Sequence, residues 1–293
     1  MKLRSAVLGF LVTSCVWAQP DWDAVEITSE KITDNVYVLF GAGGNIGLAL
    51  GQEYAYVIDD QFAQLTDKIL AAVRGITDKP VRFVVNTHWH GDHVGGNENL
   101  AGQGALIIAH ENVRKRMGMR TDRGDGRIAE PASFAARQKI TFSDQLTIHL
   151  DSISSMHLMH VDPAHTDGDS YIYFPEENII HMGDNFIDGY PYIDLQSGGD
   201  VDGFVRNLNR VLFIIDDQTR IIPGHGAVSG REQLVAFRNM IQDIRALVKR
   251  AKDSGNTLEQ TQQLKLTAPW DEQYFKGFIE PDRLVEAIYS SVD

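Results

Sequence analysis

The chain has 293 residues, 43% of them hydrophobic, enough for one large core or two small ones. A formal charge of -13 at pH 7 argues against nucleic acid and anionic membrane as partners, and makes a strongly anionic small-molecule substrate less favourable unless local charge overrides it. The single cysteine, Cys15, leaves the rest of the chain without a disulfide, a thiolate nucleophile or a thiolate metal ligand.

The N-terminus reads as an export signal. Lys2 and Arg4 form a basic start, and residues 6–12 an apolar stretch too short to span a bilayer. Val16-Trp17-Ala18 fits cleavage after Ala18, which makes residues 1–18 a signal peptide and residues 19–293 the mature chain. Val12-Thr13-Ser14-Cys15 offers the alternative of a lipoprotein anchored through Cys15. Either route predicts a periplasmic or secreted protein.

Residues 36–40 read as a β-branched strand, followed by a glycine-rich turn at 41–47 and strand candidates at 48–51 and 55–58. A glycine-rich turn cradles phosphate when it opens a helix. This one joins strand to strand, so it reads as a mobile hairpin near an active site. Residues 65–73 have helical spacing, 81–85 form an apolar strand, 105–109 another strand, and 111–117 start a helix. Residues 118–131, rich in Gly, Arg and Asp, read as a mobile loop. Strands are expected at 146–150 and 155–159, a hairpin from 171–174 to 179–182, a helix at 204–212 and a short buried strand at 219–222. Leu234, Phe237, Ile241, Ile244 and Val248 mark an amphipathic helix, and a last helix is expected at 283–289. Interleaved strands and helices predict a single α/β sandwich domain of two related halves.

Residues 88–93 carry His88, His90, Asp92 and His93 directly after the strand at 81–85. At a spacing of two, His88 and His90 point the same way, while Asp92 and His93 reach a second position. Imidazole with carboxylate suits zinc, manganese and iron being the alternatives. His165, Asp184 and His225 also lie where strands give way to loops, positions at which a scaffold fixes ligands and leaves them open to substrate. His110, His149, His157, His160 and His181 fit no ligand position and read as surface or satisfied core imidazoles.

The T-H-x-H-x-D-H loop, the H-T-x-G turn, the M-G-D strand end and the P-G-H-G loop, in that order, resemble the metallo-β-lactamase-fold superfamily over about residues 36–237. The resemblance implies a four-layer αβ/βα sandwich with helices at its C-terminal end and two Zn2+ ions. On that pattern His88, His90 and His165 hold one metal, Asp92, His93 and His225 the other, and Asp184 bridges them. Asp59 matches an aspartate that orients the histidine loop, against the simpler reading of a turn aspartate. The implied reaction is hydrolysis: a metal-bridged hydroxide attacks a cyclic amide or ester carbonyl, with Asp92 orienting it and passing a proton to the leaving group.

Two departures bear on substrate. The cysteine of the β-lactamase subclass with this layout is replaced by Asp184, and the lysine that grips the substrate carboxylate by Ile187. Both predict weak or promiscuous β-lactamase activity. A bridging aspartate instead resembles acyl homoserine lactonases and glyoxalase II-like thioesterases, and a neutral lactone suits an acidic chain. Phe186, Ile187, Tyr190 and Tyr192 offer an apolar substrate wall, or ordinary packing. An iron-dependent persulfide dioxygenase is a remoter alternative, since its second metal position is empty whereas His93, Asp184 and His225 are all present here. His90 replaces the glutamate of flavodiiron proteins. No ligand is eroded, as it would be in a non-catalytic binding protein.

Overall fold

In the computed structural model, residues 21–122 and 128–293 are described. The expected signal segment with Cys15 lies outside them, as does the tip of the 118–131 loop.

The first sheet is built from β1 (Thr28–Lys31), β2 (Val36–Phe40), β3 (Ile46–Leu50), β4 (Ala55–Ile58), β5 (Val81–Val85) and β6 (Leu106–His110). A two-residue ladder of β7 (Thr121–Asp122) with β8 (Ile128–Ala129) departs from it, and β9 (Ile140–Phe142) returns to pair with β6. The second sheet runs β10 (Gln145–His149), β11 (Ser155–His160), β12 (Ser170–Phe174), β13 (Ile179–His181) and β14 (Arg220–Ile222). The helices are α1 (Thr66–Ile76), α2 (Gly91–Val94), α3 (Asn97–Gly102), α4 (Glu111–Met117), α5 (Val201–Ile214), α6 (Arg231–Asp253), α7 (Leu258–Gln263), α8 (Ala268–Tyr274) and α9 (Pro281–Ser291).

The two halves repeat one plan. In each, an antiparallel run of strands, β1 to β4 or β10 to β13, is followed by a helix and a parallel strand. A parallel neighbour requires a crossover, which α1 supplies before β5 and α5 before β14. Side-chain alternation then stacks the layers. Val85, Ile179 and Ile222 point into the apolar layer between the sheets, while Val84, Ile180 and Ile221 point outward. The outward set on the first sheet meets Leu65, Ile69 and Val73 around α1, and that on the second meets Phe204, Leu208, Leu234 and Phe237 of α5 and α6. The result is the expected four-layer αβ/βα sandwich. Burying each such side chain contributes roughly 1.5–3 kcal/mol before entropy is counted.

Two expectations change. The 41–47 turn is a hairpin between β2 and β3 but is firmly tied down. Gly44 N donates to Asp92 O (3.1 Å), Asn45 N to Gly224 O (2.7 Å), and Gln61 Nε2 to Gly44 O (2.8 Å). With so many long-range bonds its conformation is set by its neighbours. The described flanks of the 118–131 segment pair as β7 and β8 in place of an irregular loop. β1, exposed along its length, and the short β9, α7 and α8 carry too little apolar pattern to be read from sequence.

Candidate metal centre

Strand ends from both sheets deliver side chains to one edge. Asp59 follows β4; Asn86 to His90 follow β5; His165 sits in the β11–β12 turn; Asp184 follows β13; His225 follows β14. His90 precedes α2, whose turn carries Asp92 and His93. The His165 turn is clamped from both sides. Asp169 accepts from His165 N (2.8 Å) and Thr166 Oγ1 (2.6 Å), and α5 holds the preceding residues through Asn207 Nδ2 to Asp162 O (2.7 Å). Gly203 allows this close approach, for a Cβ there would meet Pro163 O at 1.6 Å.

The seven residues His88, His90, Asp92, His93, His165, Asp184 and His225 come together. Potential ligand atoms of His88, His90 and His165 lie within 4.8 Å of one another, as do those of His88, His93 and Asp184, and those of Asp92, His93 and His225. Asp184 Oδ2 lies 3.5 Å from His165 Nε2 and Oδ1 lies 3.2 Å from His93 Nε2, so this carboxylate stands between the two groups.

Hydrogen bonds fix which nitrogen of each ring faces inward. Thr87 Oγ1 donates to Asp59 Oδ2 (2.7 Å), so it accepts from His88 Nδ1 (2.9 Å). His93 Nδ1 donates to Asp59 Oδ2 (2.7 Å), His165 Nδ1 to Tyr192 O (2.7 Å), and His90 Nε2 to Asp194 Oδ2 (3.0 Å). The His88, His90 and His165 rings are thereby left with a lone pair on the other nitrogen, and His93 presents Nε2 to Asp184. The inward atoms His90 Nδ1 and His165 Nε2 are only 2.8 Å apart, and His88 Nε2 and Asp184 Oδ1 are buried without a hydrogen-bond partner. Converging lone pairs and an orphaned carboxylate oxygen are the donor set a cation needs, and outer acceptors on imidazoles are how such ligands are commonly oriented.

The electrostatics agree. Burial, then the neighbouring His93 and His165 imidazoles, hold the His88 pKa well below its ordinary value, keeping the ring neutral. Burial opposes charge on His93, yet Asp184, Asp92 and Asp59 outweigh it and lift that pKa well above the usual value. Positive charge is therefore favoured where three carboxylates meet. Burial likewise opposes the Asp92 carboxylate, but His93 and the His225 hydrogen bond hold its pKa at about 2.

Asp59 is wholly buried at φ 60°, with both oxygens engaged by Thr87 and His93. Ile187, Tyr190 and Tyr192 line a cavity of about 520 Å³ that also contains Asp92, Asp184 and His225. Phe186 does not belong to it. The ring turns into the core against Phe237 (centroids 5.2 Å apart), because its neighbour Ile187 takes the cavity side. His181 is buried and satisfied by Asn45 O and Gly183 N, and His110 stacks on His160 at 3.6 Å; neither joins the cluster.

Some residues of the site went unread in the sequence. Asp194 orients His90, but its other role, accepting from Ser197 N as a helix cap, is the only one its local sequence suggests. Lys276, Phe278 and Ile279 reach the cavity from far along the chain with no local signal.

A model of the metallo-β-lactamase superfamily matches residues 34–230. The chain belongs to the metallo-β-lactamase superfamily. It is thus one of a superfamily of metal-dependent hydrolases, and the convergent histidines and aspartates are its candidate metal groups. It is 24% identical over 261 residues to the metallo-β-lactamase type 2 of Bacteroides fragilis, covering 82% of this chain and 96% of that one. It is 26% identical over 147 residues to the 2,4-dinitroanisole O-demethylase subunit alpha of a Nocardioides species, a match of 50% of this chain and 41% of the subunit, so that it spans less than half the relative's length. Among solved structures, a metallo-β-lactamase from Pontibacter korlensis superimposes with a TM-score of 0.61 at 17% identity, covering 74% of this chain and all 100% of that one. Helices α6 to α9 lie beyond the residues that the superfamily model matches.

Proposed function

We propose that this protein is a zinc-dependent hydrolase with a dinuclear site that opens an activated carbonyl: a lactone, ester, thioester or, weakly, a β-lactam. The supporting observation is that four imidazoles, each with its outer nitrogen committed to a protein partner, converge with their inner nitrogens: His90 on His165, and His88, His93 and His165 around Asp184. His88, His90 and His165 would hold one cation, Asp92, His93 and His225 the other, with Asp184 shared. When bound, the cations supply Lewis acidity at the carbonyl and lower the pKa of water. Asp92, ionised and open to the cavity, orients the attacking water, takes up its proton and delivers it to the leaving group. The buried imidazoles and Asp59 keep this geometry from relaxing.

The lactam reading is the weaker one because Asp184 and Ile187 stand where the β-lactamase subclass with this layout has a cysteine and a lysine, so the partner placed there for a lactam carboxylate is missing from that position. A mononuclear redox enzyme is disfavoured because Asp92, His93 and His225 form a complete second group. Export ahead of residue 19 is part of the proposal and rests on the N-terminal sequence alone.

Replacing Asp92 with Ala tests the mechanism. Turnover of nitrocefin, a long-chain acyl homoserine lactone and a thioester by the zinc-loaded protein should be chelator-sensitive for at least one substrate. In the variant that turnover should drop by about 10²-fold or more, in line with losing a general acid–base group. Undiminished turnover by Asp92→Ala would refute the assigned role.

A further inference from the structure

One wall of the cavity comes from outside the residues that the superfamily model matches. Lys276, Phe278 and Ile279 lie between α8 and α9, yet they share the cavity with Asp92, Asp184 and His225. This segment is anchored at both ends. Tyr190 N donates to Tyr274 O (3.0 Å) and Tyr190 Oη to Asp271 Oδ1 (2.8 Å), which join the cavity loop to α8. On the other side Ile279 is buried in the same apolar cluster as Leu284 and Val285 of α9. The lysine stem runs alongside Gly189, where a Cβ would stand in ordinary contact with Lys276 Cγ at 3.5 Å.

The charges on the cavity wall divide by role. Asp92, Asp184 and His225 belong to the metal groups, Asp188 is exposed on the loop, and Lys276 is the cation outside them. Among the described residues no carboxylate pairs with the Lys276 ammonium within 4.0 Å. The apolar part of the same cavity wall is Phe62, Ile187, Phe278 and Ile279. A cavity of about 520 Å³ is of the size that encloses a small ligand, with a few polar groups fixing its orientation.

Resting on the hydrolase reading above, we propose that the α8–α9 segment makes the site selective for amphipathic acyl substrates carrying an anionic group, which Lys276 binds while the apolar body lies on Phe62, Ile187, Phe278 and Ile279. Lys276 thus supplies the cation that Ile187 does not, from a different part of the chain. Locally it offsets the acidity of the whole protein, whose longer-range field is screened by salt.

Two matched pairs of probes test this on the zinc-loaded full chain. The first is mono-para-nitrophenyl suberate against para-nitrophenyl octanoate, which differ by a terminal carboxylate. The anionic ester should show about tenfold higher kcat/KM, carried by KM. In Lys276→Met, which keeps the stem, the preference should disappear through a higher KM for the anionic ester, with metal content read alongside, and Lys276→Arg should keep it. The second pair, suberic acid monoamide against octanamide, reads binding by calorimetry without turnover. The monoamide should bind about tenfold more tightly to the unaltered protein and no more tightly than octanamide to Lys276→Met. If neither ester is cleaved, the ester arm of the hydrolase reading fails and the binding pair decides the selectivity alone. Equal affinity for the two amides, or a preference that survives in Lys276→Met, overturns the proposal.

Discussion

The two halves of the metal centre are built differently. His88 and His165 are almost wholly buried, and each of His88, His90 and His165 is oriented by an acceptor behind it. In the second group only His93 has such an acceptor, Asp59. The His225 and Asp92 side chains are 36% and 30% exposed and border the cavity. His225 is placed chiefly by its backbone: Asn45 Nδ2 donates to Pro223 O (2.9 Å) and Gly226 O (2.7 Å) on either side of it. A sealed, side-chain-oriented group binds its cation with little reorganisation. On the proposed dinuclear reading, an open group held through its loop would leave room for substrate and would give up its cation first. Catalysis needs both, one rigid ligand cage and one position with access.

That contrast can be broken most severely from the sealed side. His88→Ala removes an inward nitrogen from the buried group and should abolish binding of both cations, with turnover down by more than about 10³-fold, a small part of what enzymes achieve over the uncatalysed reaction. Metal content by plasma mass spectrometry, alongside kinetics, checks it; retention of the second cation alone would contradict the order of binding argued here. Gly44→Ala strikes the open side. Its Cβ would stand 2.1 Å from His93 Cε1, so ring or hairpin must move, at a cost of roughly 1–3 kcal/mol in stability. The second cation should be lost selectively while the first remains, read by metal content and thermal unfolding.

Asp59→Asn joins the two halves, since Asp59 serves both Thr87 and His93. Losing the carboxylate should weaken affinity at the second position by about 10–100-fold and at the first by less, as seen by competition with a chelating dye. Asn45→Ala gives the smallest effect and the sharpest distinction. It frees the His225 loop without touching a ligand ring, so second-cation affinity should fall by about tenfold, the low end for an outer support, and first-cation affinity should not change. Equal losses at both positions would show that the two groups are not independently supported.

Much of this was legible in the chain itself. Residues 88–93 place their imidazoles and carboxylate by local geometry: a strand end, a short turn and one turn of α2 suffice. The sandwich layers follow from period-two alternation in strands such as Val84-Val85 and Ile179-Ile180, and α6 follows from Leu234, Phe237, Ile241 and Ile244 at helical spacing. Such patterns are local, and burial enforces them. Sequence did not determine which face Phe186 would take next to Ile187, that the 41–47 turn would be pinned, that Asp194 would stand behind His90, or that Lys276 would enter a cavity floored by Asp92 and Asp184. Those outcomes depend on packing between segments far apart in the chain, where an exposed lysine or a capping aspartate looks like many others. Only the tertiary structure decides them, because a hydrogen bond or a cavity wall exists only once both of its sides have been brought together.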